Sequence, residues 1–407
     1  RLNFYESEVI RKFAKENNLQ DRTFINSCAV TNKTIADLQT EIRKLKKNNP
    51  DNKIILTGCA AQIHKDEFVA MNEIDSIIGN KEKLESKTYK EIKESNDRIN
   101  KVGDIFEHGQ AISPIIKKVE NRIRGFVQIQ NGCDHRCTFC IIPYGRGDSR
   151  SVEPENVVNQ INALLDQGYK EIVLTGVDLT SYGHDLENKP NLATLVSHIL
   201  FSIPNLKRLR LSSLDVAEID KNLMDLIKYE KRILPHIHLS LQAGDNMILK
   251  RMKRRHLRDD AISVINEIRS VRSEVVFGAD IIAGFPTESD EMFQNTVDLI
   301  EDCNITFLHI FPFSPREGTP AARMPQVDRY IIKKRAKILR EIGKKKLLEY
   351  YDGLKNKKIN VIVEDKGRGR SDTFAKVQID NNLDNGQIVK MIVTGRNQVG
   401  LTGNIVV

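Results

Sequence analysis

Between Gly125 and Phe313 six strand-like runs follow one another: GFVQIQN, EIVLTG, LKRLRLSS, HIHLSLQ, VVFGADIIAGF and ITFLHIFPF. Helical patterns separate them. Strands that alternate with helices demand a parallel sheet with helices on its face. Six such units in succession predict a curved, barrel-like sheet, about three quarters of a full eight-unit barrel. This partial (β/α)6 barrel is expected over 122–325.

A shorter alternation precedes it. SEVIRKFAKENN reads as a helix and TFINSC as a strand; the stretch from Lys33 to Asn48 is helical, and KIILTGC and SIIG are strands. Residues 1–100 are therefore expected to form an open parallel α/β domain. Cys28 and Cys59 each end a strand, where ligands gather in such sheets, so the two thiols should face one site. The chain opens on a helix with no strand before it. A strand ahead of Arg1, with room for a third cysteine, is expected to be missing. Residues 101–121 are polar and read as a linker. After the barrel comes a basic connecting segment, 326–354. From Lys355 to Val407 the pattern changes to period two with Gly, Asn and Asp turns, which predicts a small all-β module.

A chain of 407 residues is too long for one core, which fits this division. No apolar run approaches the length of a membrane span, and the first residues lack the apolar core of a signal peptide. A cytoplasmic protein with no membrane partner is expected. Structural disulfides are rare in that compartment. The six cysteines, five of them before residue 141, then point to metal binding or catalysis. Charge is uneven: Asp328 to Lys358 holds twelve Lys/Arg against four Asp/Glu. Such a run is either a solvated helix face or a footprint for a polyanion such as RNA.

The chemistry concentrates in NGCDHRCTFCIIPYGRG. Cys133, Cys137 and Cys140 read C-x3-C-x2-C after the first barrel strand, at the strand end where barrel active sites lie. A structural zinc would take four ligands, and His135 stands too near Cys137 for the usual spacing. A cubane iron–sulfur cluster on three thiolates leaves one iron open to a small molecule. The later strand ends carry Gly176, Asp178, Ser212, Gln242 and Asp280 on the same rim. Each alone is an ordinary strand terminator; in succession around one rim they indicate a binding site. Cys303 reads as a small core residue, and the His residues of PHIHLSL as structural.

With these residues in place, the chain resembles the radical SAM enzymes. That resemblance implies a [4Fe–4S] cluster on Cys133, Cys137 and Cys140, with S-adenosylmethionine on the open iron and cleaved to a 5′-deoxyadenosyl radical. Gly176, Asp178, Ser212, Gln242 and Asp280 would be the cofactor-binding residues. INSCAVTNKT, LTGCAAQ, RLRLSSLD and FPFSPREGTPAARMP, together with the Cys loop, resemble the methylthiotransferases within that group. The subgroup resembled is bacterial and acts on tRNA at N6-threonylcarbamoyladenosine 37, adding a methylthio group at C2. It implies a second [4Fe–4S] cluster on Cys28, Cys59 and a third cysteine that this chain lacks. It also implies a terminal RNA-binding barrel of the TRAM type. The partners implied are a tRNA anticodon stem-loop, an electron donor protein and a sulfur source, with the enzyme a monomer.

In the terminal module Lys366, Arg368 and Arg370 are expected to grip phosphate, and the run from Lys250 to Arg258 to add phosphate contacts. The module's single aromatic, Phe374, argues against a base-stacking platform. Three other readings remain: a relative acting on isopentenyladenosine tRNA or on a ribosomal protein aspartate, a zinc-bound RNA-binding protein without catalysis, and a radical enzyme for an unrelated small molecule.

Overall fold

The computed structural model describes every residue except 1, 30, 96, 108, 110, 112, 117–122, 366, 380–382, 399 and 407. Much of the expected linker at 101–121 thus lies outside the described residues. Helix α1 (Leu2–Glu16) buries Tyr5, Val9, Ile10 and Phe13 along one stripe. It leads into β1 (Arg22–Ser27), α2 (Asn32–Asn48), β2 (Lys53–Gly58) and α3 (Cys59–Ile63). Thr31 caps α2 by accepting from Thr34 N. β3 (Ser76–Ile78) and β4 (Ile99–Lys101) complete a parallel sheet in the order β1-β2-β3-β4. The fourth strand has no strand signature in the sequence: it is a three-residue edge strand with a polar middle residue.

The barrel begins with β5 (Arg124–Gln128) and a short hairpin, β6 (Gln130–Asn131) with β7 (Arg150–Ser151). GFVQIQN, read as one strand, is therefore two. Next come β8 (Glu171–Thr175), β9 (Leu209–Leu211), β10 (Ser213–Leu214), β11 (His236–Gln242), β12 (Val276–Ala283) and β13 (Phe307–Pro312). They pair in parallel as β5-β8-β9 and β10-β11-β12-β13. Chain continuity joins the two groups, since Ser212 alone separates β9 from β10. The expected six-strand partial barrel is the observed one. All five residues of β8 are buried, as a strand covered on both faces requires.

The basic segment folds as one helix, Arg329–Asp352, roughly 36 Å long at 1.5 Å per residue. Asp328 caps it, and Ile332, Arg335, Ala336 and Leu339 anchor it to the barrel. It delivers the chain to β14 (Lys358–Asp365), β15 (Arg368–Ser371), β16 (Lys376–Gln378), β17 (Ile388–Arg396) and β18 (Leu401–Val406), a closed five-stranded barrel. This small barrel meets the N-terminal ends of the large barrel's strands. The N-terminal domain covers the opposite, C-terminal ends. Among the described residues no helix is long and apolar enough to cross a membrane.

Candidate active site

The hairpin of β6 and β7 pinches the two ends of the Cys loop together. Gly132 has φ +77°, and a Cβ there would fall 1.9 Å from the Asp148 carbonyl, so only glycine closes this neck. Cys133 N donates to Gly147 O at 3.0 Å and Cys140 N to Cys137 O at 3.0 Å. The loop's tip is fastened from outside. Thr138 N donates to Met252 O at 3.1 Å, and its hydroxyl to Arg251 O at 2.7 Å. Arg254 Nη1 lies 3.8 Å from Cys137 Sγ.

All three thiols are half-buried and unbridged. Burial first, then the Asp178 carboxylate, pushes the Cys133 thiol far above its ordinary value; burial pushes Cys140 up to about 12. Such thiols hold their protons until a metal's charge displaces them. His135 is the other donor in the loop. Its Nε2 is 2.8 Å from Asp178 Oδ2 and 3.5 Å from Glu218 Oε1, and these bonds raise it to about 10. It is committed to two carboxylates, which leaves three soft donors in eight residues. That donor set fits an iron–sulfur cluster with one open iron.

Above the rim, between the barrel and the N-terminal domain, lies a cavity of about 370 Å³. Cys28 and Cys59 line it from above, because Ser27 pairs with Gly58 and each cysteine follows its strand. Gly176, Ser212, His238, Asp280 and His309 line it from the barrel. A buried charge cluster closes the wall behind Cys59. Glu6 Oε1 is 2.6 Å from Arg146 and Oε2 is 2.7 Å from Lys83, whose side chain is fully buried. Asn80 Nδ2 lies 3.6 Å from Cys59 Sγ and ties that thiol to the same cluster through Lys83. Burial would raise Glu6, but Arg146 and Lys83 overcome it and hold the carboxyl at about 2. For a second cluster the described residues supply two thiols, short of the three that the resemblance implies.

A smaller pocket of about 230 Å³ adjoins the cavity, lined by Phe139, Cys140, Gln242, Ile282 and Phe313; Asp280 borders both. Gln242 has φ +68°, a strained conformation for a residue with a side chain, which turns it at the end of β11.

Gly176, Ser212, Asp280, Cys28 and Cys59 are thus brought together, with Gln242 next door. Asp178 stands behind the Cys loop: its carboxylate accepts from Ser181 Oγ at 2.7 Å and faces Cys133 Sγ at 3.7 Å. The run from Lys250 to Arg258 is mostly internal. Arg251 binds Thr287, Arg254 lies 3.0 Å from Asp215, Arg255 2.8 Å from Glu218 and Arg258 2.6 Å from Asp302. Only Lys250 and Lys253 of these six cations stay exposed with no such carboxylate or hydroxyl bond to another described residue. Arg368 pairs with Asp365 at 2.6 Å. Arg370 bonds Glu364 at 3.2 Å and lies 4.3 Å over the Phe374 ring. Lys366 lies outside the described residues.

Sequence reasoning missed the cluster of His238, Asp280 and His309, whose ligand atoms lie within 4.8 Å of one another. The alternation of HIHLSLQ put His236 and His238 on one face but gave no sign of the partners that β12 and β13 bring. Glu6, Lys83 and Arg146 were missed for the same reason.

Residues 127–300 match the model of the Radical SAM superfamily, and residues 2–79 that of an uncharacterized protein family, UPF0004. The threonylcarbamoyladenosine tRNA methylthiotransferase MtaB of Rickettsia prowazekii is 48% identical over 97% of this chain and 93% of its own length. The protein of the same name from Aquifex aeolicus is 34% identical over 97% and 98%. The tRNA-2-methylthio-N(6)-dimethylallyladenosine synthase of Neorickettsia sennetsu is 33% identical over 97% and 88%. Among solved structures, the radical S-adenosylmethionine methyltransferase TsrM of Kitasatospora setae aligns with a TM-score of 0.54 at 16% identity, over 78% of this chain and 67% of that one. That likeness concerns the fold.

Proposed function

The chain belongs to the radical SAM methylthiotransferase family, and from that premise we infer that it is a tRNA-modifying enzyme. It adds a methylthio group at C2 of N6-threonylcarbamoyladenosine 37, beside the anticodon. One observation carries this reading: a single cavity has Cys28 and Cys59 on one wall and the rim above the C-x3-C-x2-C loop on the other. Relatives of that activity match over nearly the full chain.

Cys133, Cys137 and Cys140 would hold a [4Fe–4S] cluster and leave one iron for S-adenosylmethionine. When bound, the pair supplies radical hydrogen abstraction, the chemistry needed at a C2–H bond with no useful acidity. The protein's own work is positioning and exclusion. The Cys loop is fixed at its neck by Gly132 and at its tip by Thr138 and Arg254. Phe139, Ile282 and Phe313 provide an apolar wall beside Cys140 that keeps water from the reactive carbon. Asp178 and His135 form a hydrogen-bonded pair under Cys133. Of the five rim residues expected to bind the cofactor, Gly176 and Gln242 are kept for cofactor contact, Asp178 faces Cys133 from behind the loop, and Ser212 and Asp280 are left to face the substrate.

Cys28 and Cys59 are the ligands assigned to the auxiliary, sulfur-carrying cluster. The chain works as a monomer of three parts, 1–100, 122–325 and 355–407. An electron donor and a sulfur source are its partners. The exposed cations of the helix Arg329–Asp352 and Arg368 of the small barrel meet the stem-loop's phosphates, by charge rather than base stacking.

The test is anaerobic reconstitution with iron and sulfide, then incubation with S-adenosylmethionine, a reductant and an anticodon stem-loop bearing N6-threonylcarbamoyladenosine. Mass spectrometry of the digested RNA should show a methylthio group in place of hydrogen on that nucleoside. Zinc without iron in the purified protein would overturn the enzyme reading.

A further inference from the structure

Four neighbouring strands carry one polar row across the cavity floor. Ser213 on β10 pairs in register with His238 on β11, whose partner on β12 is Gly278; Asp280, two residues further along the same face of β12, pairs with His309 on β13, so the row steps by one pleat between β11 and β12. His238 Nε2 and His309 Nδ1 each lie 3.1 Å from the same oxygen, Asp280 Oδ1. His238 is buried, whereas the His309 side chain is 55% exposed and borders the cavity. Asp280 therefore holds His309 by one edge of its ring and leaves the Nε2 edge to the cavity. Beside the row, Ser212 is 5% exposed and lines the same cavity, and its hydroxyl has no hydrogen-bond partner among the described residues. A buried hydroxyl without a partner is destabilising unless something binds it. Arg146, which also lines the cavity, is spent on Glu6 at 2.6 Å.

On the reading of the substrate given above, we propose that this row recognises the N6 substituent of the target adenosine. His309 meets the threonyl carboxylate by donating from Nε2–H, and Ser212 gives the same substituent a second hydrogen bond. Asp280 and His238 are positioning residues that fix the His309 ring. The chemistry of the row decides against an apolar N6 group. A dimethylallyl chain would cover His309 and Ser212 and give neither a partner, and a site built of polar groups rejects a ligand that cannot pair with them.

The experiment uses the full chain and two stem-loops. One carries N6-threonylcarbamoyladenosine; the other carries the same nucleoside with its carboxylate blocked as the methyl ester. Binding is read by fluorescence anisotropy, and KM and kcat by product mass. A charge-assisted hydrogen bond is worth roughly tenfold or more in affinity, so the wild type should prefer the free acid by about that factor. His309→Ala should bring the preference close to unity, with the loss in KM and in binding rather than in kcat. His309→Gln, which keeps a donor, should restore part of it. Asp280→Asn should lie between, because the ring remains but is less firmly held. His309→Ala binding the free acid with the wild-type preference would overturn the assignment. Two failures are distinguishable. If the wild type forms no methylthio product on either stem-loop, the substrate reading falls and this inference with it. If it forms product on both with equal KM, only the recognition site is lost.

Discussion

The two ends of the large barrel each carry a second domain, and they hold it differently. At the lower end the contact is filled. Glu171, the first residue of β8, is fully buried between Arg208 at 2.9 Å and Arg210 at 2.6 Å. Arg208 reaches Asp372 of the small barrel, and Arg124 pairs with Glu364 at 2.8 Å. Phe374 closes the joint, with His236 stacked at 4.7 Å and Arg370, Arg210 and Arg124 at 4.3, 5.2 and 5.5 Å from its ring. At the upper end the same kinds of charge cluster, Glu6 with Lys83 and Arg146, stand at the edge of a cavity. Thiols, imidazoles and an unpartnered hydroxyl line that cavity. Filled contacts fix orientation; unfilled polar ones are where a ligand gains most, since protein groups already stripped of water await it.

The contrast breaks most completely at the upper end. Cys137→Ala should remove the iron bound by the barrel loop and reduce methylthio product to background, while thermal unfolding changes little. Iron and sulfide assay with circular dichroism checks both halves. A variant that keeps its iron would mean the loop does not hold the cluster.

Next in size is the joint behind Cys59. Glu6→Gln leaves Lys83 and Arg146 buried without their carboxylate, a loss of about 3–5 kcal/mol. The same group sets an acid limit. Its carboxyl sits at about 2 when folded against 4.5 as a free group. Because the folded value is depressed, its contribution is fully present above about pH 5 and fades as pH falls toward 2. The total is on the order of 3 kcal/mol. Tm measured from pH 6 down to 3 should fall in the wild type, and less steeply in Glu6→Gln.

At the lower end Phe374→Ala should cost about 2 kcal/mol, since the ring's packing and its cation–π pairs disappear together, and should loosen the small barrel. Faster proteolysis between Asp352 and Lys358, with iron content unchanged, is the expected result. If cluster assembly suffered as much as docking did, the two ends would not be separable.

The smallest effect concerns the helix that spans both ends. Arg329, Lys333, Lys337, Arg340 and Lys344 are exposed and follow helical spacing along one face. Lys337→Glu with Lys344→Glu should weaken stem-loop binding several-fold. The slope of log affinity against log salt should fall by about 0.7–0.9 for each phosphate that the protein no longer neutralises. An unchanged slope would make this face merely solvated.

Much of this was legible from residue order alone. The six strand runs separated by helical patterns specify a parallel partial barrel, because crossover helices must cover the sheet. C-x3-C-x2-C places three thiols in one loop, since ligands three and four residues apart share it whatever surrounds it. Cys28 and Cys59, each at a strand end, were also readable, because parallel strands bring equivalent ends together. Tertiary structure alone decided the rest. Arg370, a phosphate ligand by composition, lies over Phe374; Arg254, one of a basic run, steadies Cys137. His238, Asp280 and His309 lie 42 and 29 positions apart in the chain, and only strand register makes them neighbours. Sequence fixes which groups are local to one another. Whether a charge faces solvent, a partner or a ligand depends on desolvation and pairing across elements, and those are settled only when the domains pack.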